Sequence, residues 1–137
     1  MEKVNIVAVV VASLVPMIVG SLWYSVLFGK KWMGLIGKSE EEIKKSADPL
    51  RMYGGSYVAA FVMAYILAHF VIYANSFTGR EGFIPGMSAG FWAWLGFVVT
   101  TNAASVFFEF RQPGLYYLNV SYNLVCLLLM GGILSAW

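Results

Sequence analysis

Asn102, Ser105 and Glu109 stand at i, i+3 and i+7, the spacing that puts three side chains on one face of a helix. Asn119, Asn123 and Cys126 repeat the pattern at i, i+4 and i+7, with Tyr122 beside them and Arg111 in the hairpin between the two sets. Groups of this kind suit hydrogen bonding or the handling of a proton or cation. Glu109 is the sharpest candidate, because a carboxylate in apolar surroundings is costly and is often functional. The ordinary structural reading is an interfacial ion pair with Arg111, Lys30 or Lys31 inside an interhelical hydrogen-bond cluster. Both readings stay open at this point.

The other reactive residues give weaker signals. His69 is the single histidine and Cys126 the single cysteine, so neither a disulfide within the chain nor a cysteine metal cluster can be built, and His69 has no carboxylate or second ligand at metal spacing. A lone imidazole binds metal poorly, and His69 is read as a neutral ring bonded to a tyrosine or to a backbone carbonyl. No serine–histidine–acid set, glycine-rich phosphate loop or pair of carboxylates at membrane depth occurs, which makes an enzyme the weakest class and leaves no expected cofactor or metal. Ser56, Ala60, Ala64 and Ala68 form a ladder of small residues at spacing four, flanked by Tyr53, Tyr57, Phe61, Tyr65, His69 and Tyr73. Such a ladder predicts a helix-packing seam, with Ala8/Ala12/Gly20 and Gly86/Gly90 beside Ala89/Ala93 as matching surfaces.

The elements that carry these residues follow from composition. The chain has 137 residues, 60% of them hydrophobic and 12% charged, and its mean hydropathy is +0.73. That leaves too little polar surface to cover a water-soluble core, and it is the opposite of the signature of disorder. Ten of the charged side chains fall between Lys30 and Arg51. Four charge-free stretches, Val4–Gly29, Met52–Gly79, Gly82–Phe108 and Gln112–Trp137, run for 26, 28, 27 and 26 residues. A helix needs about 20 apolar residues to cross about 30 Å of hydrocarbon, so each stretch holds one crossing. Strands of a barrel would alternate in polarity over about 10 residues, and these do not.

The expected architecture is all-α: a single domain, residues 1–137, made as an integral membrane bundle of four transmembrane helices at about 4–28, 49–73, 85–108 and 115–137. The first stretch is read as a helix and not a cleaved signal, since its apolar run is long and its exit is bulky. Pro16 is expected to kink it. The charged segment 29–48 is expected as a loop holding one short surface helix from Ser39 to about Ala47, opened by a capping box at Ser39 and Glu42. Asp48-Pro49 caps the second helix, Asn75–Gly79 reads as a polar turn, and Gln112-Pro113-Gly114 precedes the fourth helix. Seven of nine basic residues flank one side, so both termini are expected outside and loop 29–50 in the cytoplasm. Trp23, Tyr24, Trp32, Tyr116 and Tyr117 fit an aromatic belt on that side.

Leu22-Trp23-Tyr24-Ser25, Leu27-Phe28-Gly29-Lys30 and Trp32-Met33 resemble the opening signature of the bacterial and archaeal family called domain of unknown function 1761. Phe108–Arg111, Asn119–Val125 and the closing Gly131-Gly132-Ile133-Leu134 with Trp137 resemble its later signatures. The family usually has glycine where Phe110 stands, proline directly after the arginine where Gln112 stands, and histidine where Asn123 stands. The resemblance covers nearly the whole chain and implies a small multi-helix membrane protein of a prokaryotic cytoplasmic membrane, with no activity attached. The motif residues Trp23, Tyr24, Ser25, Phe28, Gly29 and Trp32 and the Asn102–Asn123 polar groups all belong to one end of this arrangement. Two functions are therefore expected in order: a non-catalytic packing or accessory subunit, acting as a homo-oligomer or within a larger membrane complex, and after it an oligomeric transporter or channel subunit for protons, cations or a small solute. The bilayer is a partner in both, and a net charge of +2 points away from nucleic acid.

Overall fold

The structure, a computed structural model, describes residues 4–137. Lys3, counted in the basic-residue balance, lies outside the described residues. Six helices follow one another, and no strand occurs among the described residues. Four of them are long and apolar enough to cross a membrane: α1 (Ile6–Leu27), α4 (Pro49–Thr78), α5 (Phe83–Phe107) and α6 (Pro113–Ala136). Between α1 and α4 lie two short helices, α2 (Gly29–Ile36) and α3 (Glu40–Ser46).

Helix α1 is not straight. Asn5 caps its start by accepting the N–H groups of Val7 and Ala8 at 3.1 and 3.3 Å. The hydrogen-bond ladder then breaks at Leu14, whose N–H turns back to the Val11 carbonyl at 3.1 Å. The break stands two residues ahead of Pro16, because proline cannot donate to the carbonyl four residues back and its ring crowds the preceding turn. The last turn, Leu22–Leu27, is π-helical: the Phe28 N–H reaches back five residues to the Trp23 carbonyl at 2.9 Å. A π turn inserts one residue and re-aims the side chains that follow, and such turns are frequent at functional sites.

The expected loop 29–48 is largely helical, which corrects the sequence reading. Three glycines and two lysines in 29–37 look like punctuation, yet Trp32, Leu35 and Ile36 stand at i, i+3 and i+4 and form a half-buried stripe on α2. Gly37, left-handed at φ 70°, ends it. Ser39 caps α3 by accepting the Glu42 N–H at 3.2 Å, and Lys44 pairs with Glu40 at 3.1 Å. Helix α4 runs to Thr78, five residues past the expected end near Tyr73. The polar run Asn75–Thr78 stays helical because the Asn75 amide donates to the Ser135 hydroxyl at 3.0 Å and Thr78 bonds the Ala74 carbonyl at 2.8 Å. Helices α5 and α6 each start two residues earlier than expected, with Pro113 in the first turn of α6, where a missing N–H costs nothing.

Helix α6 is the hub, in contact with α1, α4 and α5. In its most apolar stretch 39% of residues are buried, against 11% for α5. The shared core is Val9 and Ala12 of α1, Ala64, Leu67, Ala68 and Val71 of α4, and Cys126, Leu127 and Met130 of α6. The closest backbone approach is between α5 and α6. A methyl group added at Gly86 would fall on the Gly131 carbonyl, and one at Gly90 on the Leu127 carbonyl. Gly86 and Gly90 therefore press on α6, not on the small ladder of α4 as the sequence suggested. In lipid no hydrophobic effect drives helices together, so close van der Waals contact of this kind supplies the association.

Candidate functional site

The π turn of α1 aims two consecutive side chains at α6. The Trp23 indole donates to the Leu118 carbonyl at 3.1 Å, and the Tyr24 hydroxyl donates to the Asn119 side-chain oxygen at 2.6 Å. An ordinary helix places neighbours about 100° apart, yet both of these, within the π turn, reach the same partner helix. The chain then folds back on itself at Gly29, where a side chain would meet the Tyr24 carbonyl at 3.2 Å. Trp32 of α2 packs edge-on to Tyr24 at 5.4 Å between ring centroids, and Tyr24 packs edge-on to Tyr122 at 5.2 Å. Tyr122 in turn donates to the Pro16 carbonyl at 2.8 Å, over Gly20, whose missing side chain leaves room for the ring. The motif thus ties α1, α2 and α6 together at one end of the molecule. Ser25 stays outside the tie; it bonds the Ser21 carbonyl and is exposed.

Beside this aromatic knot lies a cavity of about 660 Å³ between α1, α4 and α6. Tyr122, Asn123 and Cys126 of α6 form its floor, and Trp32 closes the end nearest α2. Pro16, Met17 and Gly20 line one wall, and Ala60 and Met63 line the other. Its exposed rim is made by Ser21 and Ser25 of α1 and by Met52, Tyr53, Ser56 and Ala59 of α4. The opening is therefore lateral, between two membrane-length helices. No charged side chain lines it.

The polar residues picked from the sequence do not form one cluster. Asn102, Ser105, Arg111 and Asn119 surround a separate depression of about 50 Å³. Asn102 donates to the Val98 carbonyl at 2.8 Å and Ser105 to the Asn102 carbonyl at 2.7 Å, so both mainly satisfy their own helix. Glu109 sits 3.1 Å from Arg111, with both side chains about 60% exposed. Tyr122 and Asn123 face the larger cavity, and Asn119 stands between the two regions, bonded to Tyr24 and, through its carbonyl, to the Asn123 amide at 3.0 Å. Spacing rules assign residues to a face of one helix but cannot say which neighbour that face meets. Two further contacts escaped the sequence reading, although it named Tyr116 in the aromatic belt: the Trp94 indole donates to the Val120 carbonyl at 2.7 Å and the Tyr116 hydroxyl to the Val99 carbonyl at 2.9 Å. Both lie at or beside a second π-helical stretch, Trp94–Val99, within α5. Nothing in local composition marks a π turn, so no signal was available for them.

Of the expected seam, Ala60, Ala64 and Ala68 are buried, while Ser56 is exposed at the rim of the cavity. Tyr57 bonds Ser13 of α1 at 3.1 Å. Nδ1 of His69 lies 2.9 Å from the Tyr65 carbonyl oxygen. A carbonyl can only accept, so Nδ1 is the donor in this contact. The ring is also packed edge-on to Tyr65 at 4.8 Å.

Among the described residues the regular structure is all helical, and four helices have the length and apolarity to cross a membrane, which is consistent with the class of small integral membrane proteins. The family model described as protein of unknown function (DUF1761) matches residues 7–135, and the chain belongs to that family. No curated protein and no solved structure matches it.

Proposed function

We propose that this DUF1761 protein is a non-catalytic accessory subunit of the membrane. Its four long helices form a transmembrane bundle, α3 is a surface helix on the cytoplasmic side, and both termini are extracytoplasmic. It associates with copies of itself or with a larger membrane complex. The observation that carries this reading is α5. Its most apolar stretch is only 11% buried, and Thr100, Thr101 and Asn102, each exposed, stand within about two turns of the helix end, Asn102 toward the depression beside Asn119. Their donors are spent on the helix's own carbonyls, and no hydrogen bond engages the Asn102 side-chain oxygen among the described residues. Polar groups at membrane depth gain by meeting a partner helix, and in lipid they are used as interhelical contacts.

A transport role draws less support. Glu109 lies outside the large cavity, paired with Arg111 at 3.1 Å, and the cavity lining has no titratable carboxylate or amine. The test is cross-linking in native membranes. Thr101→Cys, in a Cys126→Ala background, is expected to form a homodimeric or heteromeric adduct. A cysteine at Ile18, 60% exposed on α1, is the control and should form none. A protein that stays monomeric in lipid nanodiscs over a hundredfold range of concentration, with no adduct at Thr101, removes the association reading.

A further inference from the structure

We infer that the lateral cavity between α1, α4 and α6 is a binding site for an uncharged, hydroxyl-bearing amphiphile drawn from the bilayer. At about 660 Å³ it lies in the range of small-molecule sites, which are mostly apolar with a few placed polar groups. Its walls fit that description. Met17, Met52 and Met63 offer flexible, polarizable surface that adapts to an irregular chain. Ser21 and Ser25 give no free donor, because their hydroxyls bond the Met17 and Ser21 carbonyls. Ser56 and Asn123 differ. Neither the Ser56 hydroxyl nor the Asn123 side-chain oxygen is engaged in a hydrogen bond among the described residues, although the Asn123 amide nitrogen is held by Asn119 at 3.0 Å.

These two groups, with the Tyr53 hydroxyl at the rim, which also makes no hydrogen bond among the described residues, set the chemistry of the ligand. A hydroxyl can donate to the Asn123 oxygen and accept from Ser56, while its apolar body lies against the methionines. An anionic or cationic head would enter without a counter-charge, since no Asp, Glu, Lys or Arg lines the site, and an unpaired charge is disfavoured in such surroundings. The lateral opening names the route. Ser56 stands about 10 Å along α4 from Pro49 and Asn123 about 15 Å along α6 from Pro113, while Met52 and Tyr53 extend the rim toward the helix start, so the mouth opens sideways near the level where headgroups meet hydrocarbon.

This inference rests on the membrane-spanning reading but not on association. The test uses the full chain in nanodiscs with a diazirine-bearing dodecanol as probe, beside the carboxylate and trimethylammonium compounds of the same chain length. Helical content and protease protection in the nanodisc establish insertion first, and failure there would count against the membrane reading itself. With inserted protein, the alcohol is expected to label residues 52–63 saturably, and both charged compounds at least about tenfold less, the factor that 1.4 kcal/mol represents. Ala59→Phe, at an exposed rim position, should abolish the labelling by filling the mouth without touching the core. Asn123→Leu should lower it about three- to tenfold, the worth of one hydrogen bond. Labelling that does not saturate, is equal for all three probes, or persists in Ala59→Phe would identify annular lipid only and overturn the proposal.

Discussion

Phe110 is the single non-glycine residue with positive φ among the described residues, at 56°, and it is 87% exposed. A Cβ in the left-handed region costs roughly 1–2 kcal/mol, and glycine avoids the clash at the expense of a looser unfolded chain. Phe110→Gly is therefore expected to stabilise the protein by about 0.5–1 kcal/mol, measured as a raised unfolding midpoint in detergent. Phe110→Ala removes the ring but keeps the Cβ, and should gain nothing; equal behaviour of the two variants would show that the ring and not the backbone controls this turn. Glycine is also the residue that the resemblance drawn from the sequence led one to expect at this position. Residue identity alone carried no sign of the strain, because φ is set by how the α5–α6 hairpin closes. The Asn123 position shows the same limit. Its spacing placed it with Asn119, but which cavity it faces depends on where α1 lies.

Among the elements, the α5–α6 pair has the tightest contact and gives the sharpest contrast. At Gly90 an added methyl meets the Leu127 carbonyl, whereas at Gly96 of the same helix it meets nothing within 4 Å. Gly90→Ala should destabilise by about 1–3 kcal/mol, the usual cost of overpacking. Gly96→Ala should be neutral or stabilise by up to about 1 kcal/mol, the difference in helix propensity. Thermal unfolding of both variants in one detergent tests the pair, and similar losses would mean that propensity and not packing governs α5. Ala64, 0% exposed in the core, provides the matching prediction on α4. Ala64→Leu should cost about 1–3 kcal/mol, seen as a lower melting temperature, and an unchanged one would remove the α4 ladder from the core. Small residues on α4 and α5 were both visible in the sequence, but not that each serves a different neighbour.

For the whole molecule the open question is direction. The Trp23–Leu118 hydrogen bond and the approach of Leu35 to Gly114 place α2 and the start of α6 at one end. The Asn75–Ser135 bond places the α4 C-terminus and the end of α6 at the other. Seven of nine basic residues flank the first end, which should hold it in the cytoplasm. With Cys126 only 1% exposed, an engineered cysteine at Ser39 should resist a membrane-impermeant thiol reagent in intact cells, and one at Trp137 should react. The opposite pattern would invert the protein in the membrane and place the motif end outside.

Residue types alone marked four apolar stretches of membrane-crossing length, the caps at Ser39 and Asp48, and the family signatures, because each of these is written locally in the sequence. The tertiary structure alone decided the π turn that turns Trp23 and Tyr24 together onto α6, the pairing of Gly86 and Gly90 with α6, and the lateral cavity. The physical reason is the solvent. In water, hydropathy separates the buried face of a helix from the exposed one; in hydrocarbon, a face that meets lipid and a face that meets another helix are equally apolar. Which face packs where is then decided by shape, and shape appears only when the helices are assembled.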